Sequence, residues 1–462
     1  MFHRYLYPVI LFCVFIPNFS MLMAGEVHEF TLENGLRLIV KEDHRAPVVV
    51  SQVWYKVGSS YEQEGKTGLS HLLEHMMFKG TEKYGPGEFS RIMAENGAND
   101  NAFTSDDYTA YFQTLEKSRL PISFELEADR MRNLRLQESE FVKEKQVVLE
   151  ERRTRTEDKP VSLLYEYFAA TAHQTSPYKN PTIGWMNDVK NLTLTDLQTW
   201  YDRWYAPNNA TVVVVGDVNP QAVLVLAKQH FGVLKPSEIA LPVARPEVEQ
   251  YGIKRLTVKR PAKLPHLVMG YKAPALRNLS DTDKWEGYAL EVLAAVLDGG
   301  DSARFSKNLV RGQQIATSAS ASYSSFSRLD DLFTLSGVPT DTHTVAELEQ
   351  ALREQIQQVQ TTLVEKAELE RVKTQVRAGK VYELDSMFYQ GMQIGSLVAM
   401  GFDWHLADSY AENIATVTPE QVQAVARKYL IDDHLTMGIL EPQPLPEGKT
   451  IRTETTPSGS VH

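Results

Sequence analysis

Two histidines and a glutamate occur within five residues of this sequence, at His71, Glu74 and His75. Residues three and four apart lie on one face of a helix, so both imidazoles could bind one cation while the Glu74 carboxylate lies beside it. This combination is typical of a zinc site with its own general base. Because a catalytic zinc needs three protein ligands and an open position for water, a third ligand must come from elsewhere in the chain.

A charged helical stretch that begins near Glu138 offers candidates for this third ligand. Glu144 and Glu151 are seven residues apart and therefore share one helix face. Their spacing allows either carboxylate to bind the metal while the other braces the site. Glu150 is a rival, but on an ideal helix it points about 100° away from Glu151.

With these residues in place, the sequence resembles the pitrilysin or insulinase family of zinc peptidases, whose motif has the His-x-x-Glu-His order of the inverzincins. The two-domain subgroup that includes the mitochondrial processing peptidase is similar in length. The resemblance covers most of residues 28–442. It implies that His71, His75 and Glu151 bind one zinc ion per chain and that Glu74 is the general base. It further implies that Glu144 orients a ligand histidine.

The same resemblance predicts how substrate is held. Peptides in this family lie along an edge strand, expected here between Asn101 and Tyr111, so Asn101 and Ala102 are the expected contacts. The family also uses an arginine and a tyrosine from its C-terminal domain. Arg311 occupies the arginine position, but the tyrosine position is Thr317, and Tyr323 follows six residues later.

The Thr317 hydroxyl is too short to replace that of a tyrosine. The sequence therefore favours a heterodimer, in which a homologous chain without the zinc motif supplies the arginine and tyrosine. A homodimer or a monomer that tolerates Thr317 is the alternative.

The chain has 462 residues, 43% of them hydrophobic, and a formal charge of −11. These values indicate packed globular domains and argue against a nucleic-acid partner. Residues 1–24 have the form of a secretory signal peptide, with Arg4 before an apolar stretch and cleavage expected after Ala24. They contain Cys13, the one cysteine of the chain. We expect a secreted or periplasmic protein, with an uncleaved membrane anchor as the alternative.

A proline-rich linker at residues 235–250 predicts two domains, at residues 25–234 and 251–442, followed by a disordered tail at 443–462. The two parts repeat weakly at a shift of 225 residues, each with a helix followed by an apolar strand. We predict an α+β fold of two duplicated α/β-sandwich domains with mixed or antiparallel sheets. Predicted elements include strands at 48–57 and 266–271 and a long helix at 344–383. The shift places Val296, Gly299 and Gly300 opposite the motif, which predicts one zinc site per chain.

Two functions compete on this basis. The first is a zinc-dependent endopeptidase that hydrolyses peptides or unfolded segments. The alternative is a non-catalytic assembly subunit of a processing-peptidase-like complex. Such subunits usually have degraded motifs, whereas the motif residues His71, Glu74, His75 and Glu151 are all present here.

Overall fold

The structure is a computed structural model that describes residues 25–243 and 245–444. The expected signal peptide lies outside the described residues, as does the expected tail beyond Pro444. Within these ranges, strands and helices form two sheets with helices packed on them, which confirms the predicted α+β class. No helix among the described residues combines the length and the hydropathy needed to cross a bilayer.

The first sheet has six strands in the order β1-β2-β6-β3-β5-β4. The β2–β6 pair is parallel and the other pairs are antiparallel. Its central strand β6 is buried on both faces, as expected for a run of four valines. The strands are β1 Val27–Thr31, β2 Arg37–Glu42, β3 Val48–Tyr55, β4 Asn99–Thr104, β5 Thr109–Glu116 and β6 Ala210–Gly216.

Most helices between residues 69 and 230 pack against one face of this sheet, around a core of aliphatic and aromatic side chains. They are α1 Leu69–Met76, α2 Glu88–Glu95, α3 Leu120–Asn133, α4 Glu138–Arg152, α6 Met186–Asn191, α7 Leu194–Trp204 and α8 Pro220–His230. The exception is α5 Pro160–Ala172, which packs elsewhere.

The second sheet has five strands in the order β7-β11-β8-β10-β9, with β7 and β11 parallel. Its strands are β7 Lys254–Pro261, β8 His266–Ala273, β9 Ala316–Ser322, β10 Asp331–Pro339 and β11 Leu435–Gln443. The helices of this half are α9 Trp285–Asp298, α10 Val345–Thr361, α11 Lys366–Glu383, α12 Met387–Ala399, α13 Leu406–Thr416 and α14 Pro419–Tyr429.

The two halves exchange one helix each. α5 packs on β11 and β7 of the second sheet, and α12 packs on β6 and β3 of the first. The predicted repeat is visible here, because a shift of 225 residues lays α7 on α14 and the start of β6 on the start of β11. Val296, by contrast, lies in α9, whereas Gly299 and Gly300 follow the end of that helix.

Two predicted elements differ from the structure. The single helix expected at 344–383 is divided into α10 and α11, because Thr362 adopts an extended conformation that buries Val364 in the core of the second half. The edge strand expected from Asn101 to Tyr111 ends at Thr104. Residues 105–108 form a turn, and Tyr111 belongs to β5, the next strand inward.

Candidate metal centre

Helices α1 and α4 bring His71, His75 and Glu151 together. Their ligand atoms lie within 4.8 Å of one another, and within the described part of the chain they form the one such group. Nε2 of His75 lies 3.3 Å from Oε2 of Glu151, and Nε2 of His71 lies 3.7 Å from the same oxygen. Both imidazoles therefore turn the same ring nitrogen toward one carboxylate.

The N-terminus of α1 is held by a buried carboxylate and by a close backbone approach. Glu62 accepts hydrogen bonds of 2.6 Å from the backbone N–H groups of Gly68 and Ser70. Gly68 has a φ of 90°, and a Cβ there would lie 2.8 Å from the carbonyl oxygen of Ile183. Leu72 and other apolar residues of α1 are buried, which fixes the rotation of the helix and the direction of both histidines.

Glu74 points to the side of the cluster that faces β4. Its Oε2 accepts a hydrogen bond of 2.5 Å from the hydroxyl of Thr104, the last residue of that strand. Burial raises the pKa of Glu74, which favours a carboxyl able to take and return a proton. The acid of the motif thus lies between the candidate ligands and a sheet edge.

Glu144 lies beside His75, on the side opposite Glu151. Its Oε2 is 3.3 Å from Nδ1 of His75, and its Oε1 is 2.7 Å from Nζ of Lys79. The Nδ1–carboxylate contact favours a proton on Nδ1, so that Nε2 of His75 could bind a metal through its lone pair once that nitrogen is deprotonated. Arg155 approaches the other oxygen of Glu151 at 2.7 Å.

The electrostatics suit a divalent cation. Burial, assisted by repulsion from His75, lowers the pKa of His71 to about 4, so that imidazole is neutral at pH 7. Burial also opposes the charge of His75, but its contacts with Glu144 and Glu151 dominate and raise its pKa to about 9. The pKa of Glu151 falls to about 2, because its contacts with His75, His71 and Arg155 outweigh its burial.

The donor set itself fits zinc. Two imidazole nitrogens and one carboxylate form the three-ligand pattern of catalytic zinc sites. Nδ1 of His71 is buried without a hydrogen-bond partner in the structure, so the hydrogen-bonding capacity of this side chain is left to Nε2, on the cluster side.

The expected substrate contacts lie in two places. Asn101 and Ala102 are in β4, the edge strand of the first sheet, and Oδ1 of Asn101 accepts a bond of 2.8 Å from the backbone N–H of Ala102. Arg311 is exposed in the π-helical segment Phe305–Gly312, where it donates to the carbonyl oxygens of Asp301 and Ser306. Both of these hydrogen bonds of Arg311 lie within the second half.

Thr317 and Tyr323, the residues at and after the expected tyrosine position, both bond to backbone within the second half. The Thr317 hydroxyl donates to the carbonyl oxygen of Val338 at 3.2 Å in the edge strand β9. Tyr323 is directed inward, since its hydroxyl donates to the carbonyl oxygen of Pro274 at 2.5 Å and its ring stacks on Phe333.

Comparison with known proteins agrees with this geometry. Residues 37–185 match the family described as insulinase (peptidase family M16), and residues 191–376 match the family described as the peptidase M16 inactive domain. The zinc protease PqqE of Helicobacter pylori is 35% identical over 89% of this chain and 92% of its own length. The chain belongs to peptidase family M16.

Solved structures of M16 proteins share the fold. A protease from Helicobacter pylori superposes with a TM-score of 0.85 at 32% identity, covering 90% of this chain and 100% of that one. The periplasmic protease PqqL from Escherichia coli superposes with a TM-score of 0.78 at 17% identity, covering 91% of this chain and 49% of that one. The latter likeness concerns the fold alone.

Sequence reasoning missed several residues around the centre of this M16 chain. Thr104 lies in the segment expected to form the substrate-binding edge strand, but its hydrogen bond to Glu74 depends on how β4 packs against α1. Glu62 and Lys79 flank the motif, and nothing in their spacing distinguishes them from surface charges. Each was missed because its partner is fixed only by the tertiary structure.

Proposed function

We propose that this chain is a zinc-dependent endopeptidase that hydrolyses peptides or unfolded polypeptide segments. The observation that carries the proposal is the arrangement at the end of α1. Three candidate zinc ligands converge there, and Glu74 lies between them and an edge strand. The names of relatives such as PqqE support zinc and proteolysis.

In this proposal, His71, His75 and Glu151 hold one zinc ion per chain, and Glu144 orients His75. Zinc with three such ligands lowers the pKa of a water molecule at its open position and polarises a carbonyl group. Glu74 takes the proton of the attacking water and returns it to the leaving amine. Thr104 holds the Glu74 carboxylate on the substrate side of the cluster.

The peptide is proposed to pair with β4, where the backbone at Asn101 and Ala102 supplies hydrogen bonds that make little demand on sequence. Arg311 is proposed to contact substrate from the second half. The proposed domains are residues 25–234, which hold the metal, and residues 251–442, which resemble them without ligands. The family name of the second match, an inactive domain, supports one zinc site per chain.

The partner proposed for this chain is a homologous chain without the zinc motif. The hydroxyls of Thr317 and Tyr323 both donate to backbone within the second half. This supports a partner chain that supplies the tyrosine. Native mass spectrometry of the protein from its own cell tests this. A fully active homodimer would contradict it.

A secreted or periplasmic location is proposed from the signal-like residues 1–24. N-terminal sequencing of the mature protein tests the proposed cleavage after Ala24.

The function is tested by zinc content and cleavage of an unstructured fluorogenic peptide, with wild type compared with Glu74→Gln. We expect about one zinc per chain in both proteins, because Glu74 is not a ligand. Removal of a general base should lower kcat by about 100-fold or more. Chelation should abolish cleavage and zinc should restore it.

The rival function predicts a different result. A non-catalytic assembly subunit would cleave no peptide, with or without zinc. Retention of full cleavage by Glu74→Gln would instead show that the role given to Glu74 is wrong.

A further inference from the structure

Arg328 connects the two halves of the molecule. It lies in the loop between β9 and β10, yet its side chain enters the first half. Its Nε donates to Oδ1 of Asp107 at 3.0 Å, and a terminal nitrogen donates to Oγ of Ser60 at 2.7 Å. The guanidinium carbon lies 4.2 Å from the centroid of the Tyr61 ring. Arg328 and Asp107 are 221 positions apart in the sequence.

Asp107, which accepts the hydrogen bond from Arg328, is buried, and both of its carboxylate oxygens accept hydrogen bonds. Asp107 is 4% exposed, and its Oδ1 also accepts a bond of 2.8 Å from the hydroxyl of Ser60. Its Oδ2 accepts from the hydroxyl of Tyr178 and from the backbone N–H of Arg328. Removal of the Arg328 side chain would leave the charge of the buried Asp107 carboxylate uncompensated, so loss of this contact is strongly unfavourable.

The loop that carries Arg328 is anchored in the second half. The backbone N–H of Ser325 donates to Oε1 of Glu291 in α9 at 3.0 Å, and its carbonyl oxygen accepts from the N–H of Leu276 at 2.9 Å. The ring of Phe326 packs edge-on against Phe402 at a centroid distance of 5.5 Å. These contacts anchor the segment that leads to Arg328 in the second half, whereas Arg328 itself contacts the first half through both its side chain and its backbone N–H.

Arg328 contacts the turn at residues 105–108, which joins β4 to β5. The turn is closed by a bond from the N–H of Ser105 to the carbonyl oxygen of Tyr108, at 2.9 Å. It is docked on the short helical turn Ser59–Tyr61 by a bond from the N–H of Ser60 to the carbonyl oxygen of Asp106, at 2.8 Å. Thr104, which holds Glu74, comes immediately before this turn.

We propose that Arg328 is a positioning residue that locks the β4–β5 turn to the second half and thereby fixes the end of β4 beside Glu74. The half without metal ligands thus acts on the centre through the strand that binds substrate. The kinetic consequence rests on the proposed peptidase function, whereas the rigidity of the turn does not.

The test compares Arg328→Ala with a matched control, Arg255→Ala. Arg255 also makes a forked contact with a carboxylate, that of Glu349 at 2.8 and 3.0 Å, but both residues belong to the second half. For Arg328→Ala we expect the KM for an extended peptide to rise about tenfold, with a smaller fall in kcat and unchanged zinc content. Hydrogen exchange should become faster at residues 99–108. The control should change neither quantity.

A second pair of variants isolates the contact. The rise in KM of the double variant Arg328→Ala with Asp107→Asn should be smaller than the product of the two single-variant rises, because the contact between the Arg328 side chain and Asp107 is lost in each single variant. If Arg328→Ala does not fold, Arg328→Lys carries the test, since it keeps the charge but cannot contact Asp107 and Ser60 with one fork.

The outcomes separate the two proposals. Exchange at residues 99–108 that matches the Arg255→Ala control, or additive effects in the double variant, would overturn the role of Arg328. Absence of cleavage by the wild type would overturn the peptidase function, and the exchange measurement alone would then decide the role of Arg328.

Discussion

His71 and His75 lie on the same helix face, yet their surroundings move their pKa values in opposite directions. Burial makes His71 a neutral donor, whereas Glu144 and Glu151 on either side of His75 stabilise its protonated form. A cation placed between Nε2 of His75 and Glu151 would displace that proton, since metal binding requires the neutral imidazole. Glu144, which stays on the far nitrogen, would then hold the ring in place.

Glu144→Gln should therefore weaken zinc binding without removing a ligand. The amide loses the charge that favours the Nδ1–H tautomer of His75, and such changes typically lower metal affinity about tenfold or more. Competition with a chromophoric chelator measures the affinity. Glu140→Gln is the control, because Glu140 lies on the same helix but pairs with Lys143 at 2.8 Å. Equal affinities in the two variants would contradict this role for Glu144.

At this scale the sequence predicted the residue types and their spacing but not all of their contacts. Helical geometry predicted that His71, Glu74 and His75 share one face of α1. The seven-residue spacing predicted that Glu144 and Glu151 share one face of α4, and in the structure both contact His75. Thr104 contacts Glu74 from a different element, and the sequence contains no local pattern that pairs them. A contact of this kind depends on the packing of β4 against α1.

At the scale of elements, each exchanged helix contacts its sheet closely at a position where one of the two elements has a glycine. In α12, a Cβ on Gly395 would lie 2.1 Å from the indole of the buried Trp54 in β3. In the reciprocal contact the glycine is on the strand, since a Cβ on Gly270 in β8 would lie 2.6 Å from the ring of Phe168 in α5. Each exchanged helix thus meets its sheet where an aromatic ring occupies the space of a missing side chain.

Gly395→Ala should consequently destabilise the protein although alanine favours helix. The added methyl group cannot fit against Trp54, and overpacking of this kind costs about 2–3 kcal/mol. Gly379→Ala in α11 is the matched control, because a Cβ there meets no atom within 4 Å. Helix propensity alone should then add about 0.5–1 kcal/mol. Denaturant midpoints measure both variants, and a stabilised Gly395→Ala would show that α12 does not pack so closely.

The sequence indicated the repeat but not this exchange. The shift of 225 residues correctly related α7 and β6 to α14 and β11, because short connections preserve the spacing there. It could not show that α5 and α12 cross to the opposite sheets, since apolar residues on a helix do not specify which sheet they cover. The break between α10 and α11 was missed for a similar reason, because Val364 continues the apolar pattern while the backbone is extended.

At the scale of the whole molecule, Glu247 joins the linker to both halves. Its carboxylate accepts backbone bonds from Gln174, Thr175 and Ser176 in the first half, at 2.8–3.0 Å. It also accepts a bond of 2.7 Å from Nζ of Lys272 in β8. The linker is thus fastened at this residue, and the relative position of the halves there depends on one ionised group.

The stability of the molecule should therefore depend on the charge of Glu247 in acid. Burial raises the pKa of this carboxyl, but the Lys272 ammonium and the three N–H groups outweigh it and lower the pKa to about 2, from an ordinary value of 4.5. A carboxyl with a lowered pKa stabilises the fold above its unfolded pKa. This contribution is lost as the pH falls from about 4.5 toward 2.

Glu247→Gln should lower the free energy of unfolding at pH 7 by about 1–2 kcal/mol after allowance for solvent screening. It should also reduce the further loss of stability below pH 4.5. Denaturant unfolding across this pH range measures the difference, with Glu249→Gln as control because the Glu249 side chain contacts the hydroxyl of exposed Tyr251. Parallel pH curves for wild type and Glu247→Gln would show that the linker is not held by this charge.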